Sequence, residues 1–80
     1  MATGTVRFWA AARAAAGKSE QAYDGATLGS VVDALGAEHG PELARILGHC
    51  SFLVDGARVG RDFQLSQGEV IEVLPPFAGG

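Results

Sequence analysis

The order of elements in this sequence predicts an α+β domain: a mixed sheet of about five strands clasping one main helix plus a short helix. Three observations carry that prediction. The opening segment alternates apolar and polar residues with period two. A central segment sets Leu28, Val31, Val32 and Leu35 at i, i+3, i+4 and i+7, one apolar stripe of a helix. The last third returns to short β-type runs separated by Asp-Gly and Gln-Gly turns.

The elements follow in order. Thr3 to Ala11 alternates, with Val6, Phe8 and Ala10 on one face and Thr5, Arg7 and Trp9 on the other, which predicts a half-buried strand. Ala11 to Ala16 is a run of strong helix formers that Gly17 should cap. Ser19 to Tyr23 predicts a short strand ended by Asp24-Gly25, pairing with the first strand around a helical elbow. Thr27 is the expected N-cap of the main helix, with Asp33 and Glu38 facing water, Gly36 weakening its far end and Gly40 stopping it. Pro41 suits the first position of a second, short helix, and Glu42 suits the positive end of its dipole. Leu43, Ile46 and Leu47 supply its apolar side, and Gly48 ends it.

Ser51 to Val54 predicts a strand, Asp55-Gly56 a type I′ turn, and Ala57 to Val59 the returning partner. Gly60 to Ser66 is expected to be a loop with apolar anchors at Phe63 and Leu65, followed by a Gln67-Gly68 turn. Glu69 to Leu74 is dense in Val and Ile, which predicts a central strand covered on at least one face. Two hairpins around one helix make a β-grasp pattern. Its first and last strands should run parallel at the centre of the sheet. The expected organisation is a β-grasp domain over residues 1–74 and a flexible Gly-Gly tail over residues 75–80.

Eighty residues make one small domain. A chain of this size buries about 60–65% of its unfolded surface. Apolar residues are 48%, but fourteen of them are Ala, so the core formers fill one core and leave little room for an enclosed catalytic cavity. The formal charge is −3 with no Lys/Arg cluster, which disfavours nucleic acid and anionic membranes as partners. The single cysteine, Cys50, excludes an internal disulfide and a four-Cys iron–sulfur site. No apolar run is long enough to span a membrane, and no basic segment followed by an apolar one opens the chain. The expected compartment is the cytoplasm.

The tail Pro75-Pro76-Phe77-Ala78-Gly79-Gly80 carries the most chemistry. Prolines lack N–H donors, so a strand must stop at Pro75-Pro76, and the pair stiffens the exit. Two glycines without Cβ let a partner's groove close tightly on the backbone and reach the last carbonyl. A carboxylate is a poor electrophile. Activation as an acyl-adenylate creates a leaving group, and sulfide displacing AMP would leave a thiocarboxylate, a soft nucleophile. Every step falls on the Gly80 carbonyl, so bulk beside it would be harmful. Ala78 and Gly79 are the expected threading residues, and Phe77, Pro76 and Pro75 the expected partner contacts. Phe77 could fold back over the sheet edge; its place just past two prolines favours an aromatic anchor in a partner's pocket.

The segment Gly68-Glu69-Val70-Ile71-Glu72-Val73-Leu74-Pro75-Pro76-Phe77-Ala78-Gly79-Gly80 resembles the C-terminus of the small subunits of molybdopterin synthase. These belong to the ThiS/MoaD-like, ubiquitin-like β-grasp sulfur carriers. Val6 to Gly17 is similar to that family's first strand and elbow, and Thr27-Leu28 and Val54-Asp55-Gly56 to its helix start and hairpin. Trp9 departs from the smaller aromatic expected there. The resemblance implies that an E1-like adenylyltransferase activates Gly80 at the expense of ATP, and that a sulfur donor converts it to thioglycine. The tail would then enter a pocket of the large synthase subunit and pass sulfur to cyclic pyranopterin monophosphate in molybdenum cofactor biosynthesis. The resemblance further implies no activity of this chain alone and no cofactor bound to it, with acid–base residues on the large subunit. Rival readings are a sulfur carrier for thiamine (thiazole) or cysteine biosynthesis, a ubiquitin-like protein modifier, and a plain interaction module.

Other residues invite weaker readings. Cys50 could carry a persulfide or thioester, but a free cysteine is more often a small buried hydrophobe. His39, His49 and Cys50 match no zinc spacing and lack a fourth ligand, so no metal site is expected. Asp55 is expected to be a turn residue rather than an acid catalyst. Arg13 and Lys18 could meet an acidic surface of the activating enzyme or simply solvate the elbow.

Overall fold

A computed structural model describes residues 1–76. The strands are β1 (Ala2–Phe8), β2 (Glu20–Gly25), β3 (Ser51–Val54), β4 (Ala57–Arg58) and β5 (Val70–Leu74). The helices are α1 (Ala10–Ala16), α2 (Leu28–His39) and α3 (Pro41–Leu47). The sheet order is β2-β1-β5-β3-β4. β1 and β5 are parallel neighbours, with Thr5 opposite Val70 and Phe8 opposite Val73, and the other pairings are antiparallel. This is the mixed five-stranded β-grasp arrangement expected from the sequence.

The period-two pattern divides the sheet. Val6, Phe8, Tyr23, Val54, Ile71 and Val73 turn inward and join Ala12, Leu28, Val31, Val32, Leu35, Leu43 and Leu47 of the helices in one buried cluster. The register places Thr5, Arg7, Leu53, Arg58, Val70 and Glu72 on the opposite face. Burying a side chain of Leu or Phe size contributes about 1.5–3 kcal/mol, so this one cluster supplies most of the driving force.

α2 begins as its sequence dictates. The Thr27 hydroxyl accepts from the Ser30 N–H at 3.2 Å, and the Ser30 hydroxyl accepts from the Thr27 N–H, a reciprocal cap. Residues 60–66, expected only as a loop, form a strap across this helix start. Leu28 N–H donates to the Phe63 carbonyl at 3.0 Å and Gly29 N–H to the Arg61 carbonyl at 2.8 Å. The strap therefore satisfies N–H groups that the first turn leaves orphaned. A Cβ on Gly29 would lie 3.1 Å from the Arg61 carbonyl oxygen, so the close approach favours glycine. Arg61 also meets Asp33 at 2.9 Å.

Several boundaries differ from the expectation; β4, for one, ends at Arg58 rather than Val59. β1 stops at Phe8 rather than at Ala11: Trp9 is extended, Ala10 turns to φ 49°, and Ala10 is exposed rather than inward. Asp24 and Gly25 stay in β2, paired with Thr3 and Ala2, instead of forming a turn. The last strand begins at Val70, because Glu69 already bonds sideways into the turn before it. Asp55 and Gly56 have φ of 52° and 77°, positive at both central positions as a type I′ turn requires.

Candidate functional site: the root of the tail

β5 lies between β1 and β3, and its last residue, Leu74, pairs with Ser51. The Trp9 N–H donates to the Val73 carbonyl at 3.2 Å, and the Phe8 N–H donates to the Ser19 carbonyl at 2.8 Å. The Trp9 bond on the β1 side and the Leu74–Ser51 pairing on the β3 side hold the root on both flanks. Pro75 and Pro76 follow outside any strand, Pro75 partly buried and Pro76 exposed. Neither proline can donate to a ladder, so pairing ends at Leu74. Phe77, Ala78, Gly79 and Gly80, which carry the remaining expected site positions, lie outside the described residues.

Cys50 precedes Ser51 and so sits near this root, but its surroundings do not suit a nucleophile. The thiol is partly buried and donates to the Ile46 carbonyl at 3.2 Å. Burial pushes its pKa above the usual 9.0, so it stays protonated at neutral pH. His49 is exposed, whereas His39 packs edge-on against Phe8 with ring centres 6.1 Å apart. The His39 Nε2 lies 2.7 Å from Gln21 Oε1. Among the described residues, no group of three or more His, Cys, Asp or Glu is arranged to hold a metal ion. Asp55 is a turn residue with φ 52°.

Two features were missed in the sequence. The Arg7 guanidinium carbon lies 5.4 Å from the centre of the Trp9 ring, a cation–π contact beside the tail root. The signal was available, since residues two apart on a strand share a face. At the other end of the sheet, the Glu69 carbonyl accepts from both the Thr5 N–H at 3.2 Å and the Tyr23 hydroxyl at 3.0 Å. Nothing local in the sequence links Tyr23 to Glu69.

Among the described residues no helix is long and apolar enough to cross a membrane. No curated protein matches the sequence closely enough to count as a relative. Solved structures do. The chain is similar to the small archaeal modifier protein 1 of Methanosarcina acetivorans, with 26% identity and TM-score 0.88, covering 100% of this chain and 98% of that one. It is similar to the HVO 2177 protein of Haloferax volcanii, with 32% identity and TM-score 0.81, covering 99% and 87%. It also shares its fold with a chain from the complex of subunits 1 and 2 of the molybdopterin-converting factor of Helicobacter pylori 26695, at 24% identity and TM-score 0.71, covering 98% and 99%. The ThiS family model matches residues 6–80, from the first strand through both terminal glycines. A five-stranded β-grasp sheet whose central strand leads into Pro-Pro and Gly-Gly, with a family match along nearly the whole chain, makes this protein a member of the ThiS family.

Proposed function

We propose that this protein is a sulfur carrier that acts as the small subunit of molybdopterin synthase. Residues 75–80 act as its tail, and Gly80 carries the thiocarboxylate. The observation that carries the reading is the central strand β5, which ends at Leu74 just before Pro75-Pro76, within a ThiS-family match that runs on to Gly80. A chain delivered from the middle of a sheet has a rigid root, so a partner can hold the domain and thread the last residues into its own site. An E1-like adenylyltransferase attaches AMP to the Gly80 carboxylate, using ATP and releasing pyrophosphate. A sulfur donor then displaces AMP. The thiocarboxylate enters the large subunit, where Phe77 and the prolines make contact, Ala78 and Gly79 thread the channel, and sulfur passes to cyclic pyranopterin monophosphate. The fold shared with a chain of the H. pylori subunit 1–2 complex supports that partner. ATP serves the activating enzyme, and this chain holds no cofactor of its own.

The second reading is a ubiquitin-like protein modifier, favoured by the whole-chain likeness to small archaeal modifier protein 1. It shares the adenylation, but the Gly80 acyl group itself then passes to a lysine amine as an isopeptide bond, the activating group leaves, and no sulfur is delivered. One residue added after Gly80 tests both. Activation should be lost while the melting temperature holds, because the last strand ends at Leu74, well before the added residue in sequence. Normal thiocarboxylation of the extended protein would overturn the proposal. Conjugate ladders in cell extract, abolished by the same extension, would select the modifier.

A further inference from the structure

The sheet has two edges, β2 and β4. β4 is two residues long, too short to template another strand. β2 is six residues long, and among the described residues it pairs only with β1. The register shows which of its groups stay open. The Phe8 N–H points to β2 and donates to the Ser19 carbonyl, whereas the Thr5 and Trp9 N–H groups point the other way, to Glu69 and Val73. Bonded and non-bonded pairs alternate along an antiparallel ladder. Val6 with Gln21 and Gly4 with Tyr23 are therefore bonded pairs. The N–H and C=O groups of Glu20, Ala22 and Asp24 point away from β1, and among the described residues none of them has a partner.

Beside this edge, β2 and α2 enclose a cleft of about 90 Å³. Its lining includes the buried Val31 and Leu35, the exposed Ala34, and the exposed acids Asp24 and Glu38. The volume suits one small aliphatic side chain and falls far below the roughly 300 Å³ at which small-molecule sites begin. Glu20 and Asp24 are both exposed, and among the described residues neither forms an ion pair.

We propose that β2 receives an extended, basic segment of a partner protein as a sixth strand. The open groups of Glu20, Ala22 and Asp24 supply the backbone bonds, and side chains at alternate positions supply the choice of partner. Residues set opposite Gln21 and Tyr23 face the helix side, where an aliphatic side chain enters the cleft. Residues set opposite Glu20 and Asp24 are Lys or Arg. Charge complementarity also rejects a second copy of this chain. The two-fold pairing that uses all three open residues sets Glu20 of one copy opposite Asp24 of the other, twice, and like charges directly opposed are destabilising. The same acids that guard the edge against self-pairing thus admit a basic strand. The proposal does not depend on the tail chemistry, so each can fail without the other.

The test titrates the intact, isotope-labelled protein with the capped pentapeptide Lys-Ile-Thr-Val-Lys and follows amide hydrogen exchange by NMR. Its two ends are basic whichever way the strand runs. Exchange at Glu20, Ala22 and Asp24 should be fast in the free protein and slow at millimolar peptide, while Gln21 and Tyr23, already bonded to β1, change little. The peptide Glu-Ile-Thr-Val-Glu should protect none of them. Asp24→Lys should weaken the basic peptide about fivefold or more. Ala22→Pro removes one open N–H at an edge position that tolerates proline, and it should abolish protection at Glu20 and Asp24. No protection by the basic peptide, equal binding of both peptides, or binding that leaves those three N–H groups unprotected would overturn the proposal. Protection that grows with protein concentration alone would assign the edge to a second copy and overturn it too. If Ala22→Pro fails to fold, the peptide pair and Asp24→Lys decide.

Discussion

Phe8 stands opposite Val73 in the parallel pairing of β1 and β5, and both are sealed from solvent, at 1% and 0% exposure. The contact joins the middle of the core to the last turn-free residues before the tail. A cavity here would loosen both at once. Phe8→Ala should cost about 3–5 kcal/mol. A domain of this size holds only roughly 4–12 kcal/mol in total. Urea unfolding should show a large drop in midpoint, and a shift of less than about 1 kcal/mol would show that the β1–β5 seam does not hold the fold together.

Gly4 stands where β1 meets the turn before β5. A Cβ there would collide with the Glu69 carbonyl oxygen and lie 2.6 Å from the Tyr23 hydroxyl. Gly4→Ala should therefore destabilise by about 1–3 kcal/mol or more, against the usual gain from replacing a glycine in a strand. Thermal melts of the two proteins decide it. An equal or higher melting temperature would show that the Glu69 carbonyl can retreat at no cost.

Tyr23 links stability to alkaline pH. Burial first, and the Glu69 charge second, raise its pKa above the usual 10.0. The folded state therefore keeps the phenol proton that the unfolded chain releases. This contribution is fully present below the unfolded pKa and is lost as pH rises through the folded one. Tyr23→Phe should cost about 0.5–1.5 kcal/mol near neutrality, from the lost bond to the Glu69 carbonyl. Urea midpoints at about pH 8 and about pH 11 should fall more steeply for the wild type than for Tyr23→Phe.

Cys50 should be a slow thiol. Alkylation of the folded protein should rise with pH through a pKa above 9.0, and mild denaturant should speed it. The same sign holds for stability: the contribution of the buried thiol is lost as pH rises through its folded pKa. Rapid alkylation at neutral pH would contradict the burial argument.

Most of the fold was legible because its signals are local. The i, i+3, i+4, i+7 stripe of α2, its Thr27 cap and the Asp55-Gly56 turn each depend on neighbours in sequence. The errors arose where a distant partner decides. Asp24-Gly25 has the composition of a turn, yet Thr3 and Ala2 pair with it and hold it in β2. Ala10 continues the alternation of β1, yet the chain turns there because Trp9 bonds to Val73 and α1 must begin. The strap of residues 60–66 was invisible because its work is done by backbone carbonyls, which leave no mark in side-chain composition. At the candidate site, composition pointed to Pro75 and Pro76, and the root of the tail came from the expected central strand. The Arg7–Trp9 contact went unread, although the alternation already put both residues on one face of the first strand.

The most direct measurement is the intact mass of this protein after incubation with an E1-like adenylyltransferase, ATP and a sulfur source. A gain equal to one oxygen-to-sulfur exchange, localised to Gly80 by fragmentation, is the predicted result. An unchanged mass with an activating enzyme proven competent on another carrier would contradict the account.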